Sequence, residues 1–239
     1  MQIYIGFDPR ETAAFAVAAR SAAYHTNPKC FPVRGLVLDL LRAKGLYTRP
    51  TEKRLGKLYD VISEHEMATE FAISRFLVPQ IAEAGWALFM DCDMLVRANL
   101  GELWRAANTS ENRKYAVMCV KHNHEPENTE KMDGQVQSRY PRKNWSSFML
   151  FNCDHPANKE LPRLVNKVPG RDLHRFCWLD DAEIGELGPE WNYLVGHTET
   201  NIDPKVVHYT DGGPWFAGFE DVEYAHEWRS WLYNWGERP

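Results

Sequence analysis

The apolar run WALFM is closed by Asp91, Cys92 and Asp93 and followed by MLV. Aspartates at i and i+2 on extended backbone point to one side of the chain. Carboxylates that close repel one another unless a cation lies between them, and burying either one without a partner costs several kcal/mol. A hard divalent ion, Mg²⁺ or Mn²⁺, meets both demands and leaves positions open to water or phosphate oxygens. The plainer alternative is a strand-end pair that caps a loop or a neighbouring helix.

The flanking sequence supplies elements that could position such a pair. QIYIGFD (2–8) reads as a short buried strand, and residues 8–25 as a helix with Asp8 as N-cap, Pro9 at N1 and Glu11 at N3, a capping-box arrangement. GLVLDLL (35–41) is a strand candidate, and residues 66–85 form an amphipathic helix pattern ending at Gly85. WALFMDCD (86–93) is the next strand, LGELWRAA (100–107) a helix and YAVMCVKH (115–122) a strand. Residues 123–144 are long, polar and without periodicity, a pattern that in compact domains often serves function. Beyond them WSSFMLFNCD is a strand, NKELPRLVNKV and WLDDAEIGEL are helices, KVVHYTD is a strand, and residues 219–235 are an aromatic helix. Trp228, Trp231 and Trp235 recur along that helix at packing intervals. This alternation predicts an α/β fold, a mainly parallel central sheet flanked by helices, in a single domain over residues 1–239. Ligands of such sheets bind beyond the carboxyl ends of the strands. Asp8, the Asp91/Asp93 pair and His208 all fall at predicted strand ends.

Composition narrows the classes. The chain has 239 residues, 44% of them hydrophobic, which is ample for a core. A net charge of −5 and a pI near 6.0 argue against a general nucleic-acid binder. Five scattered cysteines without a CxxC pair argue against a disulfide framework or zinc ribbon and for a reducing compartment. The N-terminus lacks a basic leader, and no apolar run is long enough to span a bilayer. The expected location is therefore cytoplasmic, or peripheral at the inner face of a membrane.

The segment LFMDCDMLVRANLGELW resembles the DxD region of retaining glycosyltransferases with the GT-A fold, the glycogenin and lipopolysaccharide galactosyltransferase group (family 8-like). In that group the two aspartates hold Mn²⁺ on the diphosphate of a nucleotide-sugar, which implies metal roles for Asp91 and Asp93 and proximity of Cys92 to the nucleotide. HYTDGGPWF is similar to the late His…Gly…Pro-Trp motif of the same group. The resemblance implies that His208 is the third ligand of Mn²⁺ or Mg²⁺ and that Gly212 and Gly213 let backbone approach the diphosphate, with Trp215 beside the site. The lysine usual before Pro-Trp is replaced here by Gly213; Lys131, Asp133, Arg142 and Lys143 lie in the segment that could compensate or bind acceptor. FAISRF places Arg75 where the group has an arginine reaching the donor. GFDPRE matches the base and ribose site, implying Phe7, Asp8 and Arg10 near the nucleotide, although helix capping explains Asp8 and Glu11 equally well. NWSSFMLFN implies Asn144, Ser146 and Ser147 beside the donor sugar, with Trp145 a stacking candidate. WLDDAEI implies Asp180 or Asp181 as the polar group nearest the reacting carbon, Ala182 standing where a glutamine is common.

The function so implied is transfer of a hexose from a nucleotide-diphosphate sugar, UDP-linked by the resemblance, to an acceptor hydroxyl with retention. The acceptor would be a glycan, a lipid-linked glycan or a small molecule, as in bacterial polysaccharide or glycoconjugate synthesis. Two other readings remain open. One is a haloacid-dehalogenase-type phosphatase using Asp91 and Asp93, although that motif belongs on the first strand and a full strand–helix region precedes Asp91 here. The other is a non-catalytic sugar-nucleotide-binding module.

Overall fold

The structure, a computed structural model, describes residues 1–27, 31–122 and 142–233. Its twelve strands are β1 Gln2–Gly6, β2 Val33–Leu36, β3 Thr51–Arg54, β4 Lys57–Asp60, β5 His65–Glu66, β6 Trp86–Met90, β7 Met94–Val96, β8 Val117–Cys119, β9 Phe148–Asn152, β10 Ile184–Glu186, β11 Tyr193–Leu194 and β12 Val206–His208. Its α-helices are α1 Thr12–Tyr24, α2 Leu38–Ala43, α3 Val78–Ala82, α4 Gly101–Ala107, α5 Leu161–Val165, α6 Gly170–His174 and α7 Ala225–Tyr233.

The central sheet has the order β10-β8-β9-β6-β1-β2. β9 runs antiparallel to both its neighbours; the remaining pairings are parallel. The expected mainly parallel α/β sheet is therefore present, with one reversed strand. Every residue of β6 and β9 is buried, as befits central strands covered on both faces. Helix α1 buries Ala14, Val17, Ala18, Ser21 and Ala22. These small side chains let it approach β7 closely enough for the Val96 amide to donate to Ser21 Oγ at 3.1 Å.

A second sheet, β11-β12-β7, explains how late sequence reaches the Asp-x-Asp segment. β12 pairs antiparallel with β7 so that His208 faces Met94, next to Asp93. The Tyr209 amide then donates to the Asp93 carbonyl at 3.0 Å.

Several predicted elements differ. GLVLDLL divides into the end of β2 and the start of α2, because buried Leu38 and Leu41 are spaced for a helix. The long helix over 66–85 shrinks to a 3-10 turn, Ser74–Leu77, followed by α3. Pro79 has no amide proton and its ring clashes with the carbonyl four residues back, so the α-helix begins afresh at Val78. WLDDAEIGEL is a 3-10 turn, Asp181–Glu183, leading into strand β10 rather than a helix. Gly185 is required there: a Cβ would sit 2.7 Å from Met118 and 2.8 Å from the Tyr115 ring. The hairpin β3–β4 with β5 was not foreseen. Buried Arg49 anchors it, forming a two-pronged ion pair with Asp60 and donating to the Val165 and Val168 carbonyls. Among the described residues no helix is long and apolar enough to cross a membrane.

Candidate functional site

β6 ends at Met90 and β7 begins at Met94, so Asp91 and Asp93 occupy the break between two buried strands. The Asp91 amide donates to the Ser147 carbonyl at 3.0 Å, which fixes the turn against the entry to β9. Asp91, Asp93 and His208 each offer a ligand atom within 4.8 Å of the other two. Asp91 Oδ1 and Asp93 Oδ1 are both buried; Asp91 Oδ1 is paired with Arg75, while Asp93 Oδ1 accepts no hydrogen bond among the described residues. The nearest charge to Asp91 is Arg75, with Nη1 2.8 Å from Oδ1. His208 Nε2 lies 3.4 Å from Asp93 Oδ1. Two carboxylate oxygens and one imidazole nitrogen that converge in this way fit a hard divalent ion of the Mn²⁺ or Mg²⁺ class. Ligand atoms adjacent on such an ion stand about 3 Å apart, close to the spacing seen here.

The local field agrees. Burial pushes the Asp91 carboxyl up to about 6, with Asp93 adding to the rise and Arg75 opposing it. Glu11 is pushed up to about 7, first by burial and then by Asp93, Asp8 and Asp91. Thus Glu11 is the site residue that sequence reading missed. It was assigned to a capping box, yet it makes no cap hydrogen bond, and the Cys92 thiol approaches its Oε2 at 3.9 Å. Its place three residues after Asp8, at the end of β1, was the available signal.

The remaining candidates divide. Asp8 does cap its turn, accepting from the Arg10 amide at 2.9 Å. It also accepts from the Arg10 guanidinium through both oxygens and from the Glu70 amide. Burial works to raise its pKa, but these donors outweigh it and hold the carboxyl low. A base imide would have to displace one of them, so capping wins over the expected base contact. Arg10 is committed to Asp8 and the Ala68 carbonyl. Phe7 packs edge-on against Phe15.

Arg75 does not extend into open space as a donor-binding arginine would. It is buried between the Phe71 and Phe89 rings, donates to the Ser146 carbonyl at 2.9 Å and pairs with Asp91. Its geometry is that of a brace for Asp91. Ser146 and Ser147, expected at the sugar, are buried and internally engaged: Ser146 Oγ meets His174 Nδ1 at 2.6 Å, and Ser147 Oγ donates to the Asn144 carbonyl at 2.8 Å. Burial and Arg75 drive His174 down to about 3, so it is a neutral partner. Asn144 adopts a left-handed conformation that turns the chain into β9.

Gly212 has a φ of 143°, a region open to glycine, and a Cβ at Gly213 would lie 2.0 Å from the Trp215 ring, so the expected tight turn is real. Trp215 packs on Tyr209 and Trp228, and the Trp145 ring is flanked by Lys121 and Arg142. Asp181 is 91% exposed and pairs with Arg142, and Asp180 caps the adjacent turn. Lys143 is buried, while Lys131 and Asp133 lie outside the described residues.

No protein-family profile matches the chain. Among solved structures, the bifunctional glycosyltransferase WbbM matches 98% of this chain with a TM-score of 0.64 at 16% identity, and the chain spans 50% of WbbM. Galactosyltransferase LgtC, solved with donor and acceptor sugar analogues, matches 97% of this chain and 95% of its own, with a TM-score of 0.56 at 14% identity. The Streptococcus pneumoniae glycosyltransferase GlyE matches 99% of this chain and 61% of its own, with a TM-score of 0.60 at 14% identity. These likenesses establish the GT-A fold and remove the phosphatase alternative, whose fold differs. In sequence, Protein CDI of Arabidopsis thaliana is 44% identical over 236 residues, covering 95% of this chain and 84% of its own. That relative is a plant protein, whereas a bacterial setting was expected. The chain belongs to the Protein CDI family and is built on the GT-A glycosyltransferase fold.

Proposed function

We propose that the protein is a metal-dependent glycosyltransferase that moves a hexose from a nucleotide-diphosphate sugar, UDP-linked, to an acceptor hydroxyl with retention. The observation that carries this reading is the convergence of Asp91, Asp93 and His208 at the strand ends of a GT-A fold, with Asp93 Oδ1 buried and accepting no hydrogen bond among the described residues. Asp91, Asp93 and His208 would hold Mn²⁺ or Mg²⁺, and the bound ion supplies Lewis-acid stabilisation of charge on the departing diphosphate.

The chain's own residues do the rest. Arg75 braces Asp91 and adds a fixed positive charge beneath the site. The Gly212–Gly213 turn, packed against the Phe219 and Trp215 rings, would present backbone rather than side chains to the diphosphate. Glu11 and Cys92 line the side of the cluster facing the end of β1, where the nucleoside would lie. Asp91 and Asp93 are directed at the ion, Asp8 is held by Arg10 and the Glu70 amide, and Glu11 is pushed towards its neutral form by burial. Front-side attack on the sugar, assisted by the leaving phosphate, is therefore favoured over a covalent intermediate. The acceptor class is a glycan, a lipid-linked glycan or a small molecule.

A panel of nucleotide-sugars incubated with Mn²⁺ tests the proposal, the released sugar being followed by NMR. Mn²⁺-dependent turnover of one donor, with the anomeric configuration kept in the first-formed product, is the expected result. Tight nucleotide binding with no turnover across the panel would instead make the protein a sugar-nucleotide-binding module.

A further inference from the structure

The metal-site reading leaves open which nitrogen of His208 carries its proton, and a buried chain of hydrogen bonds answers this. The chain starts at the Asn144 carbonyl, which can only accept. Ser147 Oγ lies 2.8 Å from it and must donate its single proton there. Having no second proton, Ser147 Oγ can only accept from the Asn192 side chain 3.0 Å away. The amide nitrogen of Asn192 therefore faces Ser147, and its carbonyl oxygen faces His208 Nδ1 at 2.9 Å. An amide oxygen can only accept, so Nδ1 holds the proton.

We propose that Asn192 is a positioning residue that sets the His208 tautomer, presenting Nε2 as a bare lone pair to Asp91 and Asp93. Asn192 is suited to this. It is fully buried, ends the 3-10 turn Pro189–Asn192 and leads directly into β11, whose Leu194 pairs with His208. The same Ser147 accepts the Asp91 amide through its carbonyl, so one serine–asparagine unit is tied to both Asp91 and His208. The consequence is chemical. In the neutral ring Nε2 and Asp93 Oδ1 are two acceptors facing each other across 3.4 Å. A charge-assisted hydrogen bond would close to about 2.7–2.9 Å. A cation between them turns the repulsion into coordination.

The proposal rests on the metal-site reading, and the experiment separates the two. Nitrogen-15 NMR of the metal-free wild type reads the His208 tautomer directly; Mn²⁺ titration, followed by the EPR signal of free Mn²⁺, reads affinity. The expected result is a protonated Nδ1. Asn192→Leu should lose about 10–100-fold in Mn²⁺ affinity, and Asn192→Asp, which keeps the acceptor, should restore it to near wild type. A purely structural role would lower the melting temperature of both variants without this split in affinity. An unprotonated Nδ1 in the wild type overturns the proposal even if neither variant folds, as does wild-type affinity in folded Asn192→Leu. A protonated Nδ1 with no Mn²⁺ binding by the wild type supports the tautomer assignment and defeats the metal-site reading alone.

Discussion

Replacing Glu11 with glutamine should make the metal-free protein more stable at pH 8. Glu11 sits near 7 in the fold against an ordinary value of 4.5, because burial, Asp93, Asp8 and Asp91 all disfavour its charge. A raised carboxyl leaves the native state holding more protons than the unfolded one, so stability falls as pH climbs from about 4.5 to about 7. At about 1.4 kcal/mol per pKa unit, full ionisation costs the fold up to about 3 kcal/mol. Screening at a half-buried side chain reduces this to about 1–2 kcal/mol. For a chain of this size that is a rise of about 3–6 °C in melting temperature for Glu11→Gln. Differential scanning calorimetry of both proteins in chelator, from pH 4 to 8, reads the effect. The two curves should converge near pH 4.5, where the wild-type carboxyl is protonated in the fold. Saturating Mn²⁺ should also narrow the gap, since a cation offsets the field of Asp93. A variant that melts at or below the wild type at pH 8 would refute the reasoning and show that the field of Asp93, Asp8 and Asp91 does not disfavour the Glu11 charge.

Arg49→Met should lower unfolding free energy by about 3–5 kcal/mol in urea melts, because it strands the buried Asp60 charge and frees the Val165 and Val168 carbonyls; a loss below about 1 kcal/mol would mean that the hairpin is held otherwise. Gly213→Ala should push the Trp215 ring off Trp228, costing about 1–3 kcal/mol and weakening nucleotide binding measured calorimetrically. Unchanged tryptophan fluorescence and unchanged affinity would show that the turn tolerates a side chain.

The site was legible in the sequence where chemistry and order coincide. Asp91 and Asp93 close an apolar strand and His208 ends another, so strand ends marked all three residues, but only the resemblance of HYTDGGPWF to the late His…Gly…Pro-Trp motif joined them into one candidate metal group. Pairing between β7 and β12 was not legible, because register between short strands is set by tertiary packing. The braces were hidden for the same reason. Nothing local distinguishes an arginine that reaches a ligand from Arg75, which is buried between Phe71 and Phe89. Ser146 and Ser147 looked like sugar contacts because small hydroxyls at a strand entry are polar in sequence; their partners, His174 and Asn192, lie far along the chain. Glu11 was misread because a capping box and a site carboxylate share one spacing. In GLVLDLL the signal was present, Leu38 and Leu41 being three apart, but a short apolar run admits strand and helix alike.

The central claim is that Asp91, Asp93 and His208 form one divalent-ion site that serves a nucleotide diphosphate. Mn²⁺ titration at pH 7.5 into wild type, Asp93→Asn and His208→Ala, with and without UDP, tests it most directly. One site is expected in the wild type, tightened by UDP and weakened about 100-fold or more in either variant. Equal Mn²⁺ binding by all three proteins, or binding indifferent to UDP, would contradict it.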